Sequence, residues 1–254
     1  MVIKVGVLGA VGRMGSTGCL AVDADPDLEL ATRVDPSGGD GIVTSVDDMP
    51  DVDVVVDFTQ PAQVMGNIRA CVARGIHCVI GTSGQTQEAF DEMREIVADG
   101  RANVFVAPNF SIGAVLMMHL AKQAARYLGS VEILEQHHTG KLDAPSGTAM
   151  KTARDIAEVW KEHGRPPGGE AHPDEKETVA GARGSTVEGI HVHGMRVLGR
   201  LAHQEVVFGG QGENLTIRHD SMDRTSFMPG VLLAVKQVAS HPGLTVGLEH
   251  FMDL

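Results

Sequence analysis

Val2 to Gly15 reads VIKVGVLGAVGRMG, a short apolar run interrupted only by Lys4 and Gly6 that meets glycines at 9, 12 and 15. Continuous apolar character over so few residues fits a strand buried on both faces. The glycines then lead into a helix through about Ala24. Glycine at such a turn lets the backbone bend tightly and approach a pyrophosphate, whose charge rests on free N–H groups and the positive end of the helix dipole. The spacing is G-x-x-G-x-x-G rather than the stricter G-x-G-x-x-G, and by itself it also fits a turn with no ligand. Asp35, twenty residues beyond Gly15 at the end of the next strand-like run, sits where an acidic side chain accepts from a ribose 2′-hydroxyl. Together they point to dinucleotide binding.

The same grammar repeats outward. Leu28 to Val34, Val52 to Phe58 (VDVVVDF), Ile76 to Ile80 and Val104 to Ala107 read as strands. Helices from Pro61 to about Arg74 and from Gln87 to Ala98 lie between them. Such alternation predicts a Rossmann-like, doubly wound parallel sheet with helices on both faces. Strand ends at Asp57-Phe58-Thr59 and Gly81-Thr82-Ser83-Gly84 face the same crevice, because ligands of open α/β sheets bind beyond the carboxyl ends of strands.

Past Pro108 the pattern changes. Ile112 to Leu128 reads as a long helix, Val131 to Gln136 as a strand ending at His137-His138, and about Thr148 to Lys161 as a helix. Residues 162–188 lack periodicity and read as a mobile surface loop. Ile190 to Val197, Ala202 to Phe208 and Leu215 to His219 are strand-like and close together, which predicts an inserted α+β domain with a mixed sheet. Thr225 to Ser240 reads as a last helix, and the tail LTVGLEHF as a strand returning to the first sheet. The expected organisation is a dinucleotide-binding domain over 1–110 and 222–254, with a substrate-binding and oligomerisation domain over 111–221.

Composition narrows the function classes. The 254 residues carry 21 Lys+Arg against 33 Asp+Glu, a formal net charge of -12, with 43% hydrophobic and 4% aromatic residues. That balance disfavours nucleic acid and anionic membrane surfaces as partners, since both are bound by clustered cations. No run approaches the roughly 18 to 20 apolar residues of a membrane span, and the N-terminus lacks the pattern of a signal peptide. Cys19, Cys71 and Cys78 form no C-x2-C pair, which suggests neither a disulfide framework nor a cysteine-based zinc site and fits a reducing cytoplasm. No metal is expected.

The densest motif is EQHHTGKLDAPSGT, Glu135 to Thr148. Two histidines at a strand end and Lys141 three residues on gather proton-donating and cationic groups, and Ser146-Gly147-Thr148 opens a helix with backbone N–H groups to offer. This set suits a substrate with two carboxylates that needs a proton. A solvated His-His pair and an ordinary helix cap are the plainer alternative; a metal site lacks the H-x3-H spacing.

With these motifs in place, the sequence resembles the 4-hydroxy-tetrahydrodipicolinate reductase (dihydrodipicolinate reductase) family. The resemblance rests on VGVLGAVGRMG, VVDFT (Val55 to Thr59), GTSG (Gly81 to Gly84), APNFS (Ala107 to Ser111), E-x-H-H-x-x-K-x-D-A-P-S-G-T and G-x-G-E-x-L-x-I-x-H-x-S (Gly210 to Ser221). It implies that Gly9, Ala10, Val11, Gly12, Arg13 and Met14 cradle the pyrophosphate, that Asp35 holds the adenine ribose, and that Gly81, Thr82 and Ser83 with Ala107, Pro108, Asn109 and Phe110 line the nicotinamide side. It implies His137 as proton donor, Lys141 as a second donor or charge stabiliser, His138 as a substrate ligand, and Gly147-Thr148 as the clamp on a substrate carboxylate. A homotetramer is implied as well. Ser83 stands where the family usually has Thr. Pro36 stands where some members carry an Arg suited to a 2′-phosphate, so NADH and NADPH both stay open; Asp35 favours the former, and Arg13 and Arg33 offer compensating charge.

The reaction implied is reduction of a cyclic unsaturated dicarboxylate by hydride from NADH or NADPH, with a proton added at the adjacent ring position. Two other classes compete. A semialdehyde-type dehydrogenase needs a nucleophilic cysteine, and a non-catalytic NAD-binding regulator has no use for the His-His-Lys cluster.

Overall fold

The computed structural model describes residues 2–166 and 176–254. In chain order its first elements are β1 (Ile3–Leu8), α1 (Arg13–Ala24), β2 (Leu28–Val34), β3 (Ile42–Val43), β4 (Val54–Asp57), α2 (Pro61–Ala73), β5 (His77–Ile80), α3 (Gln87–Ile96) and β6 (Val104–Val106). There follow α4 (Ile112–Ala125), β7 (Ser130–His137), α5 (Gly147–Glu162), β8 (Ser185–Val187), β9 (Ile190–Arg196), β10 (Ala202–Gly210), β11 (Glu213–Ser221), α6 (Met228–Gln237) and β12 (Leu244–Val246). Two compact units result, Met1–Ile112 with Arg224–Leu254, and Gly113–Asp223.

The first unit is built on a seven-stranded sheet in the order β12-β6-β5-β4-β1-β2-β3, parallel throughout. The strand order reverses direction between β1 and β4, so the crevice at a topological switch point opens beside Leu8 and Asp57, which are paired. Its strands read as uninterrupted Val and Ile because both faces are covered: Val7, Val56 and Val79 are fully buried. The apolar positions of α2 at Val64, Ile68, Cys71 and Val72 form one helical stripe against that sheet. Each fully buried Val or Ile contributes about 1.5 to 3 kcal/mol relative to exposure.

The returning chain is fastened by polar groups. The Asn103 side chain donates to the carbonyls of Val238 and Ala239 at 3.0 and 3.1 Å and accepts from Gly243 N at 3.0 Å. Lys236 on α6 bridges Asp25 and Asp27, each at 2.9 Å, and Phe251 stacks on Phe105 at 4.3 Å. The tail thus supplies β12, but only Leu244–Val246 of the expected strand LTVGLEHF pairs, and Leu248–Phe251 turns into a 3-10 helix. The expected helix over 225–240 divides into 3-10 turns at Arg224–Phe227 and Val238–Ser240 around α6, which begins at a proline-bearing first turn.

The second unit carries the sheet β11-β10-β7-β9-β8, mixed because β7 and β9 run parallel while the other pairs are antiparallel. Ala149, Ala153, Ile156 and Trp160 form the buried stripe of α5, which packs on β7 and β9. β8 lies inside the stretch expected to be a loop. Glu188 and Gly189 take positive φ angles of 50° and 84°, the pattern of a two-residue hairpin turn that pairs Val187 with Ile190. Glu-Gly is not a strong signal for such a turn. The rest of that loop expectation falls in part on 167–175, outside the described residues.

Candidate functional site

The glycine turn between β1 and α1 is packed to the limit of its backbone. Gly9 has φ 72°, and a Cβ there would lie 2.6 Å from the carbonyl oxygen of Phe58; a Cβ at Gly15 would lie 2.0 Å from the carbonyl oxygen of Gly9. Gly9 N and Ala10 N donate to Val34 O at 2.9 and 3.2 Å, tying the turn to the end of β2. Gly12 is the N-cap of α1 and has no side-chain cap. Gly9 to Met14 therefore bring uncapped backbone to a helix N-terminus, an arrangement that can hold an anion. Asp35 closes it from β2: its Oδ2 accepts from Val11 N at 3.1 Å, and its Oδ1 accepts from the Ser37 hydroxyl at 2.6 Å and Ser37 N at 3.0 Å. The Ser37 hydrogen bond foremost holds this carboxyl below its ordinary pKa, so it is ionised at neutral pH.

The neighbouring strand ends form one bonded unit. Asp57, fully buried, accepts from Thr59 N at 2.8 Å, the Thr59 hydroxyl at 2.6 Å, the Thr82 hydroxyl at 3.2 Å and the Asn67 amide at 2.8 Å. This carboxylate joins the turns after β4 and β5 rather than facing a ligand. Gly81 is required beside it, since a Cβ would lie 2.3 Å from the Phe58 ring and 2.9 Å from that of Phe110. Phe58 and Phe110 meet edge to face at 6.2 Å. Thr82, Ala107 and Phe110 are buried, Ser83 and Pro108 exposed, and Asn109 accepts from Ser111 N at 2.8 Å.

In the second unit the EQHHTGKLDAPSGT segment closes on itself. His137 and Glu135 lie on one face of β7, two residues apart, with His137 Nδ1 2.5 Å from Glu135 Oε2. Arg196, opposite His137 on β9, reaches both oxygens of Glu135 at 2.9 Å and also the Asp143 carbonyl at 2.5 Å. Ser146 N donates to Glu135 Oε1 at 3.2 Å, and the Ser146 hydroxyl caps α5 by accepting from Ala149 N. Lys141 Nζ is held by both Asp143 oxygens at 2.7 and 2.9 Å. One bonded path therefore runs from His137 through Glu135, Arg196 and Asp143 to Lys141. His138 is exposed at its edge, Gly147 has open space where a Cβ would stand, and Thr148 O accepts from the Thr152 hydroxyl.

Residues 3–110 match the family model for the N-terminus of dihydrodipicolinate reductase, and residues 113–252 match the model for its C-terminus. The chain belongs to the dihydrodipicolinate reductase family. Among similar proteins, the 4-hydroxy-tetrahydrodipicolinate reductase of Mycolicibacterium vanbaalenii is 53% identical, with 99% of this chain and 100% of the relative covered. That of Corynebacterium diphtheriae is 50% identical with both chains covered in full. A dihydrodipicolinate reductase from Paenisporosarcina sp. TG-14, solved with dipicolinate bound, has a TM-score of 0.88 and 40% identity over 98% of this chain and 99% of its own. A scyllo-inositol dehydrogenase from Lactobacillus casei, at 12% identity and TM-score 0.61, shares the fold alone.

Within this dihydrodipicolinate reductase fold, sequence reasoning passed over two residues of the His137 network. Glu135 stood in the quoted motif without a role, although its spacing from His137 on a strand places both on one face. Arg196 carried no signal, because the β7–β9 register cannot be read along the chain. The cysteines fit inert packing in a dihydrodipicolinate reductase: all three are buried, burial raises the Cys19 pKa, and hydrogen bonding to Cys71 followed by burial raises that of Cys78. Among the described residues no group of three His, Cys, Asp or Glu could hold a metal ion, and no helix is long and apolar enough to cross a membrane.

Proposed function

We propose that this chain reduces 4-hydroxy-tetrahydrodipicolinate, through dihydrodipicolinate, to tetrahydrodipicolinate in the diaminopimelate branch of lysine biosynthesis. The observation that carries the reading is the bonded path from His137 to Lys141 on a chain matched in full by relatives of that name. Water leaves the hydroxylated ring, one ring carbon gains a hydride, and the neighbouring position gains a proton. A bound nicotinamide dinucleotide supplies the hydride. Gly9, Ala10, Val11, Gly12, Arg13 and Met14 hold its pyrophosphate and Asp35 its adenine ribose, while Gly81, Thr82, Ser83, Ala107, Pro108, Asn109 and Phe110 line the nicotinamide side. The ionised Asp35 favours the free 2′-hydroxyl of NADH; the exposed Arg13 leaves NADPH usable.

His137 donates the proton from Nε2, its Nδ1 being engaged by Glu135. Lys141 stabilises negative charge that builds on the ring as hydride arrives, and Asp143 keeps its ammonium in place. His138 and the N-terminus of α5 at Gly147 and Thr148 hold the two substrate carboxylates. The first unit serves as the dinucleotide-binding domain and the second as the substrate-binding and oligomerisation domain. Dipicolinate in the Paenisporosarcina relative, a cyclic dicarboxylate, supports the substrate class. Assembly into a homotetramer is carried over from the family resemblance, with the face of the second sheet that bears Leu134, Met195 and Val207 as its candidate contact. A cytoplasmic setting follows from the pathway.

Following nicotinamide absorbance with enzymatically generated substrate and either cofactor tests the reading. Oxidation of NADH or NADPH is expected, and His137→Ala should lower kcat by about 10^2 to 10^4. Absence of oxidation with both cofactors overturns the proposal.

A further inference from the structure

Glu135 is fully buried, and its two oxygens meet His137, both terminal nitrogens of Arg196 and Ser146 N. An ionised carboxylate withdrawn from water is costly unless paired. Arg196 and the Ser146 amide already provide that pairing, so the 2.5 Å contact with His137 is additional. Arg196 itself has no spare terminal N–H: Nη1 donates to Glu135 Oε2 and the Met195 carbonyl, Nη2 to Glu135 Oε1 and the Asp143 carbonyl. This engagement disfavours Arg196 as a ligand for a substrate carboxylate. The backbone is shaped for the contact as well. Gly194 lies opposite Glu135, and a Cβ there would stand 3.1 Å from its Oε1.

We propose that Glu135 is the positioning residue for His137, fixing the tautomer and orientation of its ring, and that Arg196 holds the Glu135 carboxylate where it meets that ring. The inference rests on His137 being the proton donor. With Oε2 against Nδ1, the neutral ring keeps its proton on Nδ1, and protonation then occurs at Nε2. The Arg196 fork meets both Glu135 oxygens at 2.9 Å and so fixes the plane in which Oε2 faces the ring. Burial by itself raises the Glu135 pKa, but the hydrogen bonds and charges of His137 and Arg196 outweigh it and hold the carboxyl below its ordinary value. Among the described residues, Arg196 on β9 lies opposite His137. β10 sets the uncharged Ala202 and Gln204 opposite His137 and Glu135, and the loop after β7 carries His138 and the Lys141–Asp143 ion pair.

The test reads the tautomer of the neutral His137 ring by 15N NMR in the free protein and compares it with kcat and KM, for the unmodified chain, Glu135→Gln and Arg196→Lys, each checked for folding by thermal melting. Glu135→Gln should move the ring proton from Nδ1 toward Nε2 and lower kcat by about 10-fold or more with KM little changed. Arg196→Lys keeps the charge but not the fork and should do the same to a lesser degree. If folded Glu135→Gln leaves the tautomer unchanged, the positioning role is overturned whatever the activity. If the tautomer changes and kcat does not, the positioning is supported and His137 is overturned as proton donor. Should Glu135→Gln fail to fold, Glu135→Asp, which withdraws the carboxylate by one methylene, replaces it, and an unchanged tautomer there overturns the role; a tautomer in Arg196→Lys identical to the unmodified protein overturns the part given to Arg196.

Discussion

Gly15→Ala sets two effects of opposite sign against each other. Gly15 lies in the first turn of α1, where alanine is the better helix former by about 1 kcal/mol, so propensity alone predicts a more stable protein. Packing predicts the reverse. The new Cβ would lie 2.0 Å from Gly9 O, 2.7 Å from Gly9 C and 2.9 Å from Ala10 Cα, all backbone atoms that no rotamer change can move aside. Ordinary contact begins near 3.4 Å, so helix and turn must part by roughly 1.4 Å, and displacements of about 1 Å in a positioned site cost on the order of 10^2-fold. Gly66→Ala on α2 is the control. Its Cβ would meet nothing within 4 Å, and it should stabilise by about 0.5 to 1 kcal/mol. Urea unfolding and NADH titration by fluorescence read both variants. Gly15→Ala should lose stability and weaken NADH binding by about 10^2-fold or more, while Gly66→Ala gains stability with unchanged binding. A Gly15→Ala protein that is stabilised and binds NADH normally would refute the close-approach reasoning.

Asp35→Ala removes the anion beside Val11 and Ser37 and should raise the KM for NADH while leaving or lowering that for NADPH; steady-state kinetics with each cofactor reads the ratio. Asp57→Ala removes the carboxylate that accepts from the Thr59 amide and hydroxyl and from the Asn67 amide and should cost about 3 to 5 kcal/mol in urea unfolding. Glu135 has a folded-state pKa below its unfolded value, so its contribution is present above the ordinary glutamate range near 4.5 and is lost as pH falls through the folded value. The melting difference between the unmodified protein and Glu135→Gln should therefore shrink as pH is lowered below that range, and a difference constant down to pH 3 would count against an ionised Glu135.

The sequence alone determined what local pattern can encode. A parallel sheet buried on both faces demands continuous apolar strands and tight turns, so β1, β2, β4, β5 and β6 were legible from Val/Ile runs and Gly, and the G-x-x-G-x-x-G turn announced its backbone approach. The density of EQHHTGKLDAPSGT likewise marked a segment whose side chains bond to one another, His137 to Glu135 and Lys141 to Asp143. What tertiary structure decided were pairings between distant residues. The strand end Asp57-Phe58-Thr59 was read as facing the crevice, yet Thr59, Asn67 and Thr82 engage both oxygens of Asp57. The short edge strand β8 was hidden because the first position of its turn holds Glu188, an uncommon residue for positive φ, where Asn, Asp or Gly would have signalled a hairpin. Arg196 was invisible for a deeper reason: it meets Glu135 through a register 61 residues apart in the chain. A strand's own sequence states which side chains share its face, while the neighbour against which that face is laid is fixed by the packing of the whole sheet.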